Sequence, residues 1–589
     1  MRKTTTYFAL FLTLVCSSAF CNDTSPAPLY PPEKPPFLTL VDNGTPTATI
    51  VIQDKNNREQ RWAAQELATY LRRMSGAELK VDDHEPASGV VVLLRIDPTL
   101  NPLKPGQHDW AGSRGYRLQT KGNRLEVIGS DGLSVVHGVY GLLERHLGVR
   151  WLWASQLGRI IPKQKTVRVG QMDETSIPDF LVRSVGSGPW ALFHGANAAV
   201  DLDEQPVGVK WRWDYHSFCE LIPASKYYDK HPDWWPLVNG KRKRPDRPAS
   251  HSTQLCTTNP ALIAEMTRNL LAVLDKEPDI DVISLSPNDG NGYCECPRCK
   301  ALDEPGQDWF GRYSKRLAVL NNAIATEVAK RHPNVLVKVG AYTYYLRRPL
   351  DRSLVPTKNQ IVQVCHTYQC HNHPLESNGC VAGKTYQPND VFMPNAEFLK
   401  VLDDWRKVTD HLFIYEYYML SRPRHDHVPW PLVHSIRMDM PYYHRIGAEG
   451  FYTQWDASTF QRYGMNYYVA AKLAWNTNLD VDQLMTDYCQ KAFGPAWQPM
   501  LAYFRYMEQA MIDDGRCLST ALQLPYRWAP AVYTDQVMQK AGDLLQHALQ
   551  AKLTKSERQR VEFFKQGFEE SREAIKTLKN HPKSKERWF

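Results

Sequence analysis

The sequence predicts an α/β protein: a (β/α)₈ TIM-type barrel preceded by a small α+β domain and followed by a helical C-terminal module. Short apolar strand patterns alternate with amphipathic helix patterns through residues 176–476, as is typical of parallel sheets. Mixed strand and helix patterns precede them at 38–170, and helical patterns alone follow at 477–589. The chain of 589 residues exceeds what one core usually holds, which favours several domains.

The N-terminus has the pattern of an exported protein. Arg2 and Lys3 precede an apolar run at 7–15 and then small residues, which predicts a signal peptide over 1–21. The apolar run is shorter than the roughly 20 residues that a spanning helix needs, and no later segment supplies them. We therefore expect a periplasmic, extracellular or cell-surface protein with no transmembrane segment. A Pro-rich stretch predicts a linker over 22–37.

The predicted α+β domain rests on strand and helix patterns in alternation. The strand candidates are 47–52, 89–96 and 124–128, and a helix over 56–74 ends at Gly76. Ser130-Asp131-Gly132 is typical of a helix start, with apolar residues then recurring on one face. The C-terminal module rests on helical patterns at 484–493, 499–513, 530–551 and 555–578.

The barrel prediction rests on six clear strands, which are 181–185, 282–286, 335–341, 361–365, 412–418 and 450–454. Helical patterns lie between several of them, at 260–274, 314–330 and 396–410. We expect the remaining strands within 211–256, or an irregular barrel.

Charge and aromatic content narrow the class of function. The net charge of +8 is spread over 71 basic and 63 acidic residues, and the basic run Lys241–Arg247 has the composition of a solvated loop. A nucleic-acid partner is therefore not expected. The 17 Trp and 29 Tyr residues suit stacking on sugar rings, although core packing also uses such residues.

The candidate catalytic residues are acids at the predicted strand ends. In a barrel of this type the reacting groups come from the carboxyl ends of the strands, which selects Asp289, Glu416 and Asp456. Each has a structural alternative: an Asx turn for Asp289, a buried ion partner for Glu416 and a helix N-cap for Asp456. Apolar neighbours raise a carboxyl pKa toward that of a general acid, so we predict Glu416 as acid/base and Asp289 or Asp456 as its partner.

Aromatic, imidazole and amide side chains follow the same strand ends and predict a sugar-binding site. The candidates are Trp211, His216, Asn288, Tyr342, Tyr344, His366, Tyr368, Tyr417 and Trp455.

Six cysteines cluster after two of the strands: Cys294, Cys296 and Cys299, then Cys365, Cys370 and Cys380, with His366, His371 and His373 among them. An oxidising compartment favours disulfides, whereas the tight spacing suits a structural zinc ion, and both alternatives stay open. Catalysis is expected to need no cofactor or metal.

Several stretches resemble known carbohydrate-active families. Residues 129–132 through 146–151 resemble the N-terminal accessory domain of α-glucuronidases and β-hexosaminidases. His231-Pro232-Asp233-Trp234-Trp235, Gln254-Leu255-Cys256 and Ser286-Pro287-Asn288-Asp289-Gly290 resemble a bacterial domain-of-unknown-function family that includes the endo-β-N-acetylglucosaminidases of glycoside hydrolase family 163.

The resemblance implies a barrel glycosidase that cleaves GlcNAc-containing glycans of the N-glycan type, with retention and possible participation of the substrate's 2-acetamido group. One alternative is an α-glucuronidase-like hydrolase of acidic polysaccharides, for which Arg422, Arg424 and His425 would pair with a carboxylate. A non-catalytic glycan-binding protein and a polysaccharide lyase are the others.

Overall fold

The structure, a computed structural model, describes residues 28–103, 107–245, 252–380, 391–420, 427–520 and 525–582. The predicted signal peptide and the segment with Arg422, Arg424 and His425 lie outside the described residues. No helix in the described part is long and apolar enough to span a membrane.

The N-terminal part contains a mixed six-stranded sheet in the order β11-β6-β7-β5-β3-β4, with two long helices. Asp131 begins the second helix by accepting a hydrogen bond from the Ser134 N–H at 2.8 Å, as its sequence predicts. The elements are β1 (Leu38–Asp42), β2 (Thr45–Pro46), β3 (Ala48–Ile52), α1 (Arg58–Ser75), β4 (Lys80–Asp82), β5 (Val90–Ile96), β6 (Tyr116–Lys121), β7 (Arg124–Gly129), α2 (Gly132–Arg145), β8 (Arg150–Trp151), β9 (Arg159–Ile160), β10 (Val167–Val169) and β11 (Asp173–Ser176).

The central part is built on a curled parallel sheet with helices between most of its strands. Its strands are β12 (Val182–Val185), β13 (Val200–Leu202), β14 (Gln205–Val207), β15 (Trp211–Arg212), β16 (Leu237–Val238), β17 (Lys241–Arg242), β18 (Val282–Ser284), β19 (Leu336–Ala341), β20 (Gln360–Cys365), β21 (His411–Glu416) and β22 (Gly450–Thr453). Its helices are α3 (Gly188–Phe193), α4 (Phe218–Leu221), α5 (Ala224–Tyr227), α6 (Pro260–Lys276), α7 (Pro297–Lys300), α8 (Ser314–Arg331), α9 (Asn395–Arg406), α10 (Val433–Arg445) and α11 (Phe460–Trp475).

Within the described residues, seven strands form this sheet, in the order β12-β22-β21-β20-β19-β18-β15, and all neighbours are parallel. The two edge strands are linked indirectly. The N–H groups of Asn197 and Ala198 donate to the Arg183 carbonyl, and Ala198 forms a parallel bridge with Val209. The predicted parallel α/β architecture is confirmed, with seven strands in the sheet where the prediction has eight.

Helices make up the C-terminal part: α12 (Val481–Phe493), α13 (Trp497–Asp514), α14 (Pro525–Val532), α15 (Asp535–Gln550) and α16 (Lys555–Lys579). Buried ion pairs connect the three parts. Arg150 donates two hydrogen bonds to Asp487 of α12, at 2.7 and 3.0 Å, and Lys472 of α11 pairs with Glu144 of α2. Both pairs are almost fully buried, so the parts share one interior.

The inner face of the curled sheet is defined by a cluster that takes side chains from five strands: Val182, Val282, Leu336, Ile361 and Phe413. Trp110 from the N-terminal part packs against it. Because successive side chains of a strand point to opposite faces, Tyr415 lies on the same face as Phe413, and Glu416 lies on the other.

Candidate functional site

A ring of tyrosines surrounds the carboxyl end of the sheet. Within the described residues it consists of Tyr215, Tyr342, Tyr415, Tyr417 and Tyr452, and it encloses Cys365. Ring centroids of Tyr415 and Tyr452 are 4.3 Å apart, and those of Tyr215 and Tyr342 are 5.9 Å apart. Burial raises the pKa of each of these phenols above its ordinary value, so the ring offers neutral hydroxyl groups at physiological pH.

Asp214 lies at one side of the tyrosine ring, just after β15. The Tyr452 hydroxyl donates to its Oδ2 at 3.3 Å, and the side chain is 65% exposed. The Lys338 ammonium lies 3.9 Å from Asp214 Oδ1 and donates a hydrogen bond to the Asp214 backbone carbonyl.

Lys338 is a fully buried cation on the inner face of β19. Its ammonium lies 4.4 Å from the centre of the Trp211 ring, within the range of a cation–π contact. Burial lowers the pKa of Lys338 to about 8, and the nearby Asp214 opposes that shift. The ring of Trp211, a predicted sugar-binding residue, therefore packs against the Lys338 ammonium.

Asp289 lies at another side of the ring, after β18. Its Oδ1 accepts a hydrogen bond from the Tyr342 hydroxyl at 3.4 Å and lies 3.5 Å from His216 Nε2, and its side chain is 57% exposed. His216 Nδ1 contacts the Pro287 carbonyl at 2.5 Å. Because a carbonyl only accepts, Nδ1 carries the proton and leaves Nε2 to face the carboxylate.

Hydrogen bonds from neighbouring segments fix the conformation of the loop that carries Asp289. The Gln254 side-chain N–H group donates to the Asn288 and Gly290 carbonyls at 2.5 and 2.6 Å. Asn288 is buried, accepts from the Cys219 N–H at 3.0 Å and donates to the Thr253 carbonyl at 2.7 Å. The predicted binding residue Asn288 thus positions its neighbour Asp289.

Glu416 lies outside the ring, between the sheet and α10. Its side chain is fully buried and accepts hydrogen bonds from Tyr443, from His366 Nδ1 at 2.8 Å and from the Tyr417 N–H at 3.2 Å. His371 Nε2 is 3.8 Å away. The structure does not bring Glu416 together with Asp289, and this geometry fits the structural alternative of a buried ion partner. The predicted binding residue His366 belongs to the same buried network and does not face the ring.

Asp456 follows β22 and caps the short 3-10 helix Ala457–Thr459. Its side chain accepts from the Ser458 N–H at 2.8 Å, which is the N-cap alternative considered above. Its neighbour Trp455 stacks on Trp190, with the ring centres 6.2 Å apart.

An aromatic cleft extends from the ring along the gap between β12 and β15. Its volume is about 950 Å³, and its lining includes Asp214, Tyr452, Trp211, Trp213 and Trp455. A second cavity of about 410 Å³ shares Trp455 and Ser187 with the first. It adds Trp151 and Trp153 of the N-terminal part, so tryptophan side chains line both cavities.

A second aromatic patch borders Asp289. The Tyr344 hydroxyl donates to Asn291 Oδ1 at 3.0 Å, and the half-buried rings of Tyr344 and Tyr368 lie 4.2 and 5.1 Å from Trp309. Sequence reasoning selected the two tyrosines and missed Trp309.

Asp214 is the main functional candidate that sequence reasoning missed. Its strand, β15, has two residues, which is too short for a period-2 pattern. The sequence feature that could have identified Asp214 is its place among aromatic and imidazole side chains, in the run Trp211-Arg212-Trp213-Asp214-Tyr215-His216. Trp213 has a positive φ of 58° and Thr343, next to Tyr342, has a φ of 46°, an unusual conformation that often marks functional sites.

The cysteines form two groups, and their membership differs from the prediction. Cys256 joins Cys294, Cys296 and Cys299, whereas His373 and Cys517 join Cys370 and Cys380. Cys365 lies instead in the tyrosine ring, with its Sγ 3.4 Å from the Tyr215 hydroxyl. His366, His371 and Glu416 are a third group whose polar atoms lie close enough to hold a metal ion.

The fold and site define a parallel α/β protein with carboxylates and aromatic rings at the carboxyl end of a curled sheet. The chain belongs to the family described as a domain of unknown function, DUF4838, whose model matches residues 153–506. No curated protein matches the sequence. The predicted resemblance to a domain-of-unknown-function family is thus confirmed, whereas the more specific resemblance to glycoside hydrolase family 163 stays a prediction.

Solved structures of glycoside hydrolases share the fold. The chain is similar to a family GH115 4-O-methyl-α-glucuronidase, BtGH115A, with specificity for decorated arabinogalactans; identity is 12%, the TM-score is 0.56, and the match covers 94% of this chain and 78% of that one. It is also similar to a GH138 enzyme targeting pectin rhamnogalacturonan II, with 12% identity, a TM-score of 0.53, and coverage of 90% of this chain and 88% of that one.

Proposed function

We propose that the protein is a glycoside hydrolase whose reaction takes place at the tyrosine ring, with Asp214 and Asp289 as its pair of carboxyl groups. The observation that carries the proposal is that two exposed carboxylates, each contacted by a ring hydroxyl, border one aromatic-lined opening. Glycoside cleavage generally needs two such groups on opposite sides of the scissile bond. The fold shared with glycosidases supports this class of reaction.

The surroundings of the two acids suggest different roles. Asp214 lies 3.9 Å from the Lys338 ammonium, a cationic neighbour, and we assign Asp214 the negative charge of the site. Asp289 lies 3.5 Å from His216 Nε2, and we assign Asp289 the proton transfer to the leaving oxygen. Asp289 thereby takes the acid/base role that the sequence suggested for Glu416.

For the substrate we propose a GlcNAc-containing glycan of the N-glycan type, cleaved with retention. The resemblance of the Ser286–Gly290 loop to endo-β-N-acetylglucosaminidases supports this choice. In a substrate-assisted route, Asp289 protonates the leaving oxygen while the Asp214 carboxylate orients the 2-acetamido group. The two aromatic-lined cavities that share Trp455 suit a glycan of several sugars, and the predicted signal peptide implies that the enzyme meets it outside the cytoplasm.

A hydrolase of acidic polysaccharides is the second candidate. The observation that favours it is the buried cation Lys338, which contacts Trp211 and Asp214 of the site and supplies positive charge that attracts a uronate carboxylate. The similarity to an α-glucuronidase fold points the same way.

The decisive experiment incubates the protein with N-glycosylated proteins and with uronic-acid polysaccharides, and identifies released sugars by mass spectrometry. Asp214→Asn and Asp289→Asn should each lower kcat/KM by about 10²- to 10⁴-fold while the thermal unfolding midpoint stays unchanged, since both side chains are exposed. Asp456→Asn is the matched control, because Asn also caps helices, and should retain full activity. Binding without any product would mean a lectin, and unsaturated products would mean a lyase; either result would refute the proposal.

A further inference from the structure

The two cysteine groups have the composition and spacing of metal sites. The first consists of the buried thiols of Cys256, Cys294, Cys296 and Cys299, and the second of Cys370, His373, Cys380 and Cys517. In each group the four ligand atoms lie within 4.8 Å of one another. Four thiolates, or three thiolates and one imidazole, are the usual ligands of a structural zinc ion.

The distances between the sulfur atoms support a central ion. Cys256 Sγ is 3.7 Å from Cys296 Sγ and 3.9 Å from Cys299 Sγ, and Cys517 Sγ is 3.5 Å from Cys380 Sγ. A tetrahedral zinc ion with bonds of about 2.3 Å separates its sulfur ligands by about 3.8 Å. A disulfide needs about 2.05 Å. The described geometry is thus that of thiols gathered around one point.

Hydrogen-bond donors surround the sulfur atoms, as is typical of metal-bound thiolates. The Leu237 N–H donates to Cys294 Sγ at 3.3 Å, and the Asn395 N–H donates to Cys380 Sγ at 3.4 Å. The Arg242 guanidinium donates to Cys294 Sγ at 3.7 Å and supplies positive charge beside four thiolates. Such partners orient the ligands and stabilise their negative charge.

We propose that the protein binds two structural zinc ions, one at Cys256, Cys294, Cys296 and Cys299 and one at Cys370, His373, Cys380 and Cys517. Each ligand set fills four positions of a tetrahedron and leaves none for a substrate. The ions therefore hold loops in place and do not react.

The positions of the ligands show what each ion connects. Cys256 lies two residues after Gln254, whose side chain donates hydrogen bonds to the Asp289 loop, and Cys294 to Cys299 follow that loop directly. The first ion thus links the segment that contacts the Asp289 loop to the segment that follows it. At the second site, Cys370 to Cys380 follow β20 and Cys517 follows α13, so that ion joins the barrel loop to the C-terminal helices.

The test measures metal in the purified full-length protein produced in zinc-containing medium. Mass spectrometry of the metal content should give two zinc ions per chain, and native mass should exceed the apo mass accordingly. Cys256→Ser and Cys517→Ser should each lower the zinc content to about one. Cys489→Ser is the matched control, because this buried thiol in α12 belongs to neither group, and it should keep two.

A second measurement keeps the proposal testable if those variants do not fold. Titration of the wild-type protein with a mercurial reagent should release zinc in step with thiol modification, as followed with a zinc-sensitive dye. Wild-type protein that carries less than half an equivalent of zinc, that carries iron instead, or whose mass shows disulfides among these cysteines would overturn the proposal.

Discussion

Replacing Glu416 with Gln separates a structural role from a catalytic one. The Glu416 carboxylate is fully buried and accepts three hydrogen bonds, from His366, Tyr443 and the Tyr417 N–H. Glutamine keeps the shape but has only one acceptor oxygen, so its amide N–H group must face at least one of these donors. A hydrogen bond to a charged group contributes about 1.5–3 kcal/mol, and an unpaired buried donor adds a desolvation cost.

We therefore expect Glu416→Gln to lower the free energy of unfolding by about 3 kcal/mol. The assay is urea unfolding followed by tryptophan fluorescence, together with activity per folded molecule below the transition. Activity should fall less than threefold, because the carboxylate faces away from the tyrosine ring.

The matched control is Glu449→Gln. Glu449 also pairs with a histidine, His411, at 2.7 Å, but its side chain is 21% exposed. Its loss should cost about 1 kcal/mol or less. An unchanged unfolding midpoint for Glu416→Gln, together with a fall in kcat of about 10²-fold or more, would refute the structural interpretation and restore the acid/base role.

Two further substitutions test the buried cation Lys338 and the loop that carries Asp289. Burial lowers the pKa of Lys338 to about 8 in the folded protein, whereas an unfolded lysine has a pKa near 10.4. Between these two pH values the unfolded state binds more protons than the folded state. The free energy of unfolding therefore rises with pH over this range, by about 3 kcal/mol in all. Lys338→Met should remove that rise, as measured by urea unfolding at pH 7 and pH 10, and equal pH dependence in both proteins would contradict it. Gly290→Ala should displace the Asp289 loop, because the new Cβ would lie 1.5 Å from the Ser252 carbonyl oxygen. We expect kcat to fall tenfold or more with little change in secondary structure by circular dichroism. Gly306→Ala is the control and should retain activity, because its new Cβ would lie no closer than 3.5 Å to any neighbouring atom.

Long, regular elements could be predicted from the sequence. All six predicted strands of the curled sheet lie within two residues of their predicted bounds, and Asp131 caps α2 as its sequence indicates. Strand β6 was missed although Tyr116 and Leu118 alternate with polar residues, so the pattern was present. Strand β15 has two residues and shows no period, and its pairing with β18 alone identifies it.

The site was harder to predict because it depends on which face of each strand turns inward. Apart from Glu416, residues 412–418 are apolar or aromatic on both faces, as in any parallel strand buried on both sides. The local sequence therefore does not show whether Tyr415 or Glu416 points to the inner face of the sheet. The membership of the two cysteine groups was also predicted incorrectly, for a related reason. Cys256 and Cys517 lie far along the chain from their partners, and only the fold brings them together.

The buried pairs Arg150–Asp487 and Lys472–Glu144 join the N-terminal, central and C-terminal parts of the molecule. Removing any one of these parts would leave a charged group in the interior without its counter-ion, which costs about 3–5 kcal/mol for each pair. That amount is a large fraction of the stability of a typical domain. We therefore expect that a part of this molecule can replace its equivalent in another protein only where the matching charged partner is also present.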